Sequence, residues 1–497
     1  MPRDISSLPP EVLTHIFQLL NGGDRLKASQ VCKKWLQIID CHQLLCEVRI
    51  VFSGKAEEAV KLFSHMTRQF QWFSFRRVVI SDSVVEFLNK YRQQFVTLSF
   101  INCEVGYSKC ASEFQGKIPR CDKLKTLNIK NSEIASLFAS LPNVTAFKLH
   151  MTFGLSDHVI SEFNKSLSKL EKLSLISTVP CEEDVFETFY INEETMKSKP
   201  SNSVLSFTSI KQLIGKNRTT LKHINFLSLR LSEKAVVTLS KMEGLKLKSI
   251  SFPYVFYSSY IKEFCENQNS LTSLDLSFLL YDTDNTVCAI CKCLPNLQEL
   301  IIRYKQAIDR CILEVFQLRN LVKLVISSCF NISRLSYREA VSNHKTYKLE
   351  YLDLSCAEIS DDCLFKLLEH NQNIRYLNVT YTRVSNKTLN MICKKLTLLE
   401  CLILESCPAI SDSGLTGEFE NYSDSITPTP LTNLKYLIEL NFNFNSLITN
   451  HGCIKSFRFP KLERLCMERC RGLSIDNDFE MELKKQNPCL RILKVSQ

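Results

Sequence analysis

A chain of 497 residues, 45% of them hydrophobic, can bury a large core, and a net charge of +10 over that length is too dilute to mark a nucleic-acid surface. Its 12 glycines are scattered, which excludes a glycine-rich phosphate loop, and no run reaches the ~18 apolar residues of a membrane helix. The 22 cysteines would suggest disulfides in a secreted chain, yet Met1 to Pro10 lacks a basic segment followed by an apolar one, so a cytoplasmic or nuclear protein with reduced thiols is expected.

The first element runs from Ile5 to Asp40 and is all helical in pattern. Leu8-Pro9-Pro10 opens a helix, because the N–H that proline lacks has no helical partner at that position. Leu13, Ile16, Phe17 and Leu20 then form an apolar stripe, and Asn21-Gly22-Gly23-Asp24 ends the helix. A second helix is expected to carry Val31, Cys32, Trp35, Leu36 and Ile39 on its apolar side. A segment this short cannot bury so many large side chains alone, so it docks either on the following chain, as a cap, or on a partner. The pattern leaves both open.

From residue 46 a unit returns about every 25 residues. Its clearest copies are Leu349-x-x-Leu352-x-Leu354, Ile374-x-x-Leu377-x-Val379 and Leu399-x-x-Leu402-x-Leu404. Further copies begin at Leu124, Val144, Leu170, Ile224, Leu247, Leu271, Leu297, Leu321, Leu437, Leu462 and Leu490. Weaker ones begin at Phe75, with Val78 and Ile80, and at Phe95, with Leu98 and Phe100. The alternating half of each unit reads as a strand with its leucines on one side. The next residues carry helical spacing, as in Leu364, Leu367 and Leu368. Ser-Asp pairs before the helices supply caps. The period is that of leucine-rich repeats, about 14 to 16 of them over residues 46–497. The expected fold class is α/β: a solenoid with a curved parallel sheet inside and helices outside, preceded by a small all-α segment at residues 1–45. Inserted surface loops are expected near 180–215, rich in Glu182, Glu183, Asp184, Glu187, Glu193 and Glu194, and near 417–433, with Thr427-Pro428-Thr429-Pro430.

No constellation for catalysis emerges. Cys288-Ala289-Ile290-Cys291-Lys292-Cys293 has no second pair at zinc spacing and falls in a helical half, so it reads as packed thiols. The nine histidines are dispersed, with no His-Glu-x-x-His. Neither a metal nor a cofactor is expected. Of the strand residues that point away from the core, Tyr351, Asp353, Tyr376, Asn378, Ile403 and Glu405 are candidates for contact with a target protein. Tyr351 and Tyr376 occupy the same place in adjacent repeats and should stack.

Leu8-Pro9, Glu11, Leu13, Ile16-Phe17, Leu20, Asp24, Leu26, Val31-Cys32 and Trp35 together resemble an F-box, from which Asn21-Gly22-Gly23 departs as a looser turn. Cys407-Pro408-Ala409-Ile410-Ser411-Asp412 resembles the cysteine-containing class of leucine-rich repeats, and the order of the two is that of F-box/leucine-rich-repeat proteins. The resemblance implies a non-catalytic receptor of a Skp–cullin–F-box ubiquitin ligase, holding a protein target for ubiquitination and degradation. It implies that Leu8, Pro9, Leu13, Ile16, Phe17, Leu20, Val31, Cys32 and Trp35 bind a Skp-type adaptor, which brings cullin and RING subunits. No nucleic acid or membrane is expected as a partner. The alternative is a protein-binding scaffold that acts outside a cullin complex.

Overall fold

The computed structural model describes residues 5–63, 65–106, 118, 120–132, 134–152, 155–177, 201, 205–229, 231–253, 259–277, 283–303, 309–329, 331–342, 347–418 and 428–496. The chain forms two units, one from the N-terminus to Ala235 with Met242–Leu247, the other Val236–Lys241 with Lys248–Gln497.

The first unit begins with a helical head: α1 (Pro10–Gln18), α2 (Gly22–Ser29), α3 (Lys33–Ile39) and α4 (His42–Leu45). The expected two-helix head is therefore divided further. Asn21 does not merely end α1; its side chain accepts from the N–H groups of Gly23 and Asp24 and starts α2. Val31 lies between α2 and α3, and Cys32 is the residue on which α3 begins, so neither sits on the face of a long second helix.

Behind the head run parallel strands at Arg49–Ser53, Trp72–Arg76, Thr97–Ile101, Thr126–Lys130, Ala146–Met151, Lys172–Ser177 and His223–Asn225. Phe52, Phe75, Phe100, Ile129, Leu149 and Leu175 stand opposite one another in a buried row. The first three rings stack at 5.1 and 5.2 Å, so phenylalanine replaces leucine at this end of the core. The weak copy beginning at Phe75 is out of register: Phe73 and Phe75 point inward from Trp72–Arg76, while Val79–Ile80 pairs with Glu104–Val105 in a separate small sheet. Within the first interruption, Phe207–Asn217 is a repeat helix rather than loop, and residues 178–200 lie outside the described residues.

The second unit holds ten parallel strands in sequence order among the described residues, from Ser249–Ser251 to Ile492–Ser496. Ile250, Leu274, Leu300, Leu324, Leu352, Leu377, Leu402, Leu440 and Leu465 form its buried row, each contributing ~1.5–3 kcal/mol of hydrophobic free energy. In the second interruption, residues 419–427 lie outside the described residues and Leu431–Asn433 is a helical turn.

Polar side chains tie successive repeats together. Ser360 and Ser385 cap their own helices, accepting from Cys363 and Thr388 N–H. In addition the first helical residue of one repeat grips the cap of the next. Asp361 accepts from Ser385 N (2.8 Å) and Oγ (2.6 Å), and Asp412 from Thr449 N (2.9 Å) and Oγ1 (2.6 Å). Asp157 does the same for Ser206, at 2.7 and 2.8 Å.

After each of ten strands the chain turns through one non-glycine residue with φ between 47° and 66°: Arg77, Asn102, Asn131, Ser228, Ser328, Cys356, Tyr381, Ser406, Phe444 and Arg469. The next residue is buried in every case, Cys103, Cys407 and Cys470 among them. A side chain in this left-handed conformation costs about 1–2 kcal/mol, least for asparagine.

Candidate functional site

The head has a complete core of its own. Leu13, Phe17, Ala28, Ile38, Ile39 and Leu44 form it, with Leu8, Ile16, Leu20, Trp35 and Cys41 packed against it. Trp35 meets Phe17 edge to face at 5.1 Å. Arg25, which the pattern gave no reason to notice, pins the helices from inside. Its Nε donates to the Phe17 carbonyl (2.8 Å), its Nη1 to Leu44 (2.9 Å), and its Nη2 to Gln18 (2.9 Å) and the Glu47 carboxylate (2.7 Å). The guanidinium thus caps the carbonyls at the end of α1.

This packing sorts the nine residues expected to meet an adaptor. Leu13 and Phe17 are interior and unavailable for contact. Leu8, Ile16, Leu20, Cys32 and Trp35 are half-buried, and Pro9 and Val31 are exposed. Outside the core, Val12 (44% exposed), Leu19 (77%), Leu26 (53%) and Val31 (62%) remain uncovered. Val12, Ile16 and Leu19 recur at i, i+4 and i+7, a stripe one residue round from the inner Leu13, Phe17 and Leu20. Val12, Leu19 and Leu26 were missing from the expected set, although this doubled stripe is visible in the sequence. A groove of about 390 Å³ also lies where the head meets the first repeat, lined by Leu26, Ile39, Leu45, Ile50, Leu62 and Phe70.

The strand face of the second unit holds the other candidates. Tyr351 and Tyr376 stand opposite each other, with ring centroids 3.9 Å apart and planes within 3°. The Lys323 ammonium lies 4.7 Å from the Tyr351 ring, and burial pushes both phenols up. Asp353 and Asn378 have structural duties. Asp353 Oδ1 accepts from Ser355 N at 3.0 Å, and Asn378 Oδ1 from Thr380 N at 3.0 Å. Asp275 and Asn441 make the same turn with Ser277 and Asn443. Asp353 is moreover buried, which removes it from the contact face. Asn378, Ile403 and Glu405 are half-buried, and Glu405 accepts from Asn441 Nδ2 at 3.0 Å.

The cysteine run packs as expected: Cys288 and Cys291 are buried, and burial pushes the Cys291 and Cys293 thiols up, away from the thiolate a metal or nucleophile would need. Among the described residues no three histidine, cysteine, aspartate or glutamate side chains gather as a metal site, and no helix is long and apolar enough to cross a membrane.

Comparison with known proteins matches residues 5–48 to the F-box-like family model. Protein DIA2 of Saccharomyces cerevisiae is 23% identical over 96% of this chain, which spans 62% of that protein's length. Antagonist of mitotic exit network protein 1 of Candida albicans is 24% identical over 45% of this chain and 34% of its own. Among solved structures, the crystal structure of the Rad7 and Elc1 complex in yeast aligns over 97% of this chain and 92% of the matched chain, with a TM-score of 0.42 and 12% identity. Residues 5–48 thus match the F-box-like family, and the chain behind them is a solenoid of leucine-rich-repeat type.

Proposed function

We propose that the chain is the target-binding receptor of a Skp–cullin–F-box ubiquitin ligase. The head binds the Skp-type adaptor, the repeats hold a protein target, and the catalytic subunits are supplied by the complex. The receptor then acts by proximity, raising the effective concentration of a target lysine at a ubiquitin thioester. The observation that carries this reading is the outer stripe of Val12, Ile16 and Leu19. A head that served only to cap the first repeat would turn its spare apolar surface inward, whereas here the core is full and large apolar side chains still face out.

The test is affinity purification of the tagged chain from cells with the proteasome blocked. Recovery of adaptor, cullin and RING subunits, together with a ubiquitinated protein whose level rises under the block, is the expected result. Absence of the adaptor rejects the reading. An adaptor recovered without any client that responds to the proteasome supports a scaffold instead.

A further inference from the structure

Most of the left-handed residues that follow the strands are small or hydrophilic, as a conformationally strained position at or near the surface favours. Two are not. Tyr381 has φ of 57° and is 60% exposed; Phe444 has φ of 61° and is 40% exposed. The turn itself belongs to the repeat, since eight other strands end in it with small or hydrophilic residues; what the turn does not call for is a large aromatic ring left partly or mostly exposed.

Their neighbours indicate what the rings serve. Tyr381 N donates to the Glu405 carbonyl and Ser406 N to Asn443, so Tyr381, Ser406 and Phe444 lie side by side beyond three adjacent strands. With strands ~4.8 Å apart, the backbones of Tyr381 and Phe444 stand roughly 10 Å apart across the small Ser406, a spacing that would admit one apolar side chain. Arg469, in the next repeat, places its guanidinium 5.3 Å from the Phe444 ring. Arg383 and Arg471 are exposed two residues beyond Tyr381 and Arg469. None of the three arginines has a carboxylate within ion-pair distance among the described residues.

We infer that this edge of the second unit, from Tyr381 to Arg469, docks an acidic segment of a partner protein, with one apolar side chain seated over Ser406 between the two rings and flanking carboxylates on the arginines. The inference deepens the reading of the repeats as the target-binding part of the receptor and rests on it.

Fluorescence anisotropy on the full chain tests it, with labelled nine-residue peptides that carry a central tryptophan between glutamates. Two control peptides replace the glutamates with lysines or the tryptophan with glycine. The glutamate–tryptophan peptide should bind at least tenfold tighter than either control. Arg469→Glu and the double variant Tyr381→Asn with Phe444→Asn should each weaken it at least tenfold. Asparagine suits the left-handed backbone, so the double variant should melt no lower than the native chain, and lost binding would not reflect unfolding. Equal binding of the three peptides, native-like binding by the variants, or a double variant that melts several degrees lower would each overturn the proposal. Adaptor affinity is measured on the same samples: its retention alongside lost peptide binding confines a failure to the repeats, and its absence in the native chain refutes the receptor reading separately.

Discussion

At the scale of single residues, two glycines of the last repeats, Gly414 and Gly452, show how tightly neighbouring units are fitted. A Cβ on Gly414 would collide with the Asn386 side chain, and one on Gly452 with the Asp412 carboxylate, the same groups that hold the next cap. Gly215, in the helix Phe207–Asn217, has open space instead. Gly452→Ala should therefore cost about 1–3 kcal/mol, whereas Gly215→Ala should gain roughly 0.5–1 kcal/mol. Urea midpoints would check this, and equal shifts of one sign would contradict it. The same scale shows where side-chain roles escaped the sequence. Leu13 and Val12 are adjacent apolar residues, and only packing tells that the first fills the core while the second faces out. Alternation alone puts Asp353 on the outward side of its strand, but its carboxylate is buried in a turn with Ser355; the recurrence of Asp or Asn two residues before Ser, Thr or Asn is the signal for that turn in the sequence.

At the scale of elements, each repeat is completed by the next. The Asp361 carboxylate accepts both the N–H and the hydroxyl of Ser385, a residue that in turn caps its own helix. Asp361→Ala should cost about 1–2 kcal/mol. A double-mutant cycle with Ser385→Ala should show coupling of at least roughly 0.5 kcal/mol, and additive effects would show that the clamp contributes nothing. Elements were legible wherever leucine marks them. They were missed where another residue stands in. The strand Arg49–Ser53 escaped because the position of its first leucine is Glu47, which pairs with Arg25 of the head. The register slipped at Trp72–Arg76 because phenylalanines replace the leucines there.

At the scale of the whole molecule, an F-box-like head precedes the repeats of both units, and the proposed reading gives attachment to the head and selection to the repeats. The order of these parts was legible because periodicity survives substitution, and the head because many matches fall at fixed spacing. Which head residues remain free was not legible, since that depends on how α1 to α4 close around Arg25. The central claim is that the outer stripe of the head, and not its core, grips an adaptor. The most direct measurement is the affinity of the full chain carrying Val12→Glu and Leu19→Glu for a Skp-type adaptor, with the melting midpoint read in parallel. The account predicts at least ~30-fold weaker binding at an unchanged midpoint, as exposed contact residues should give. Native affinity in that variant would contradict it.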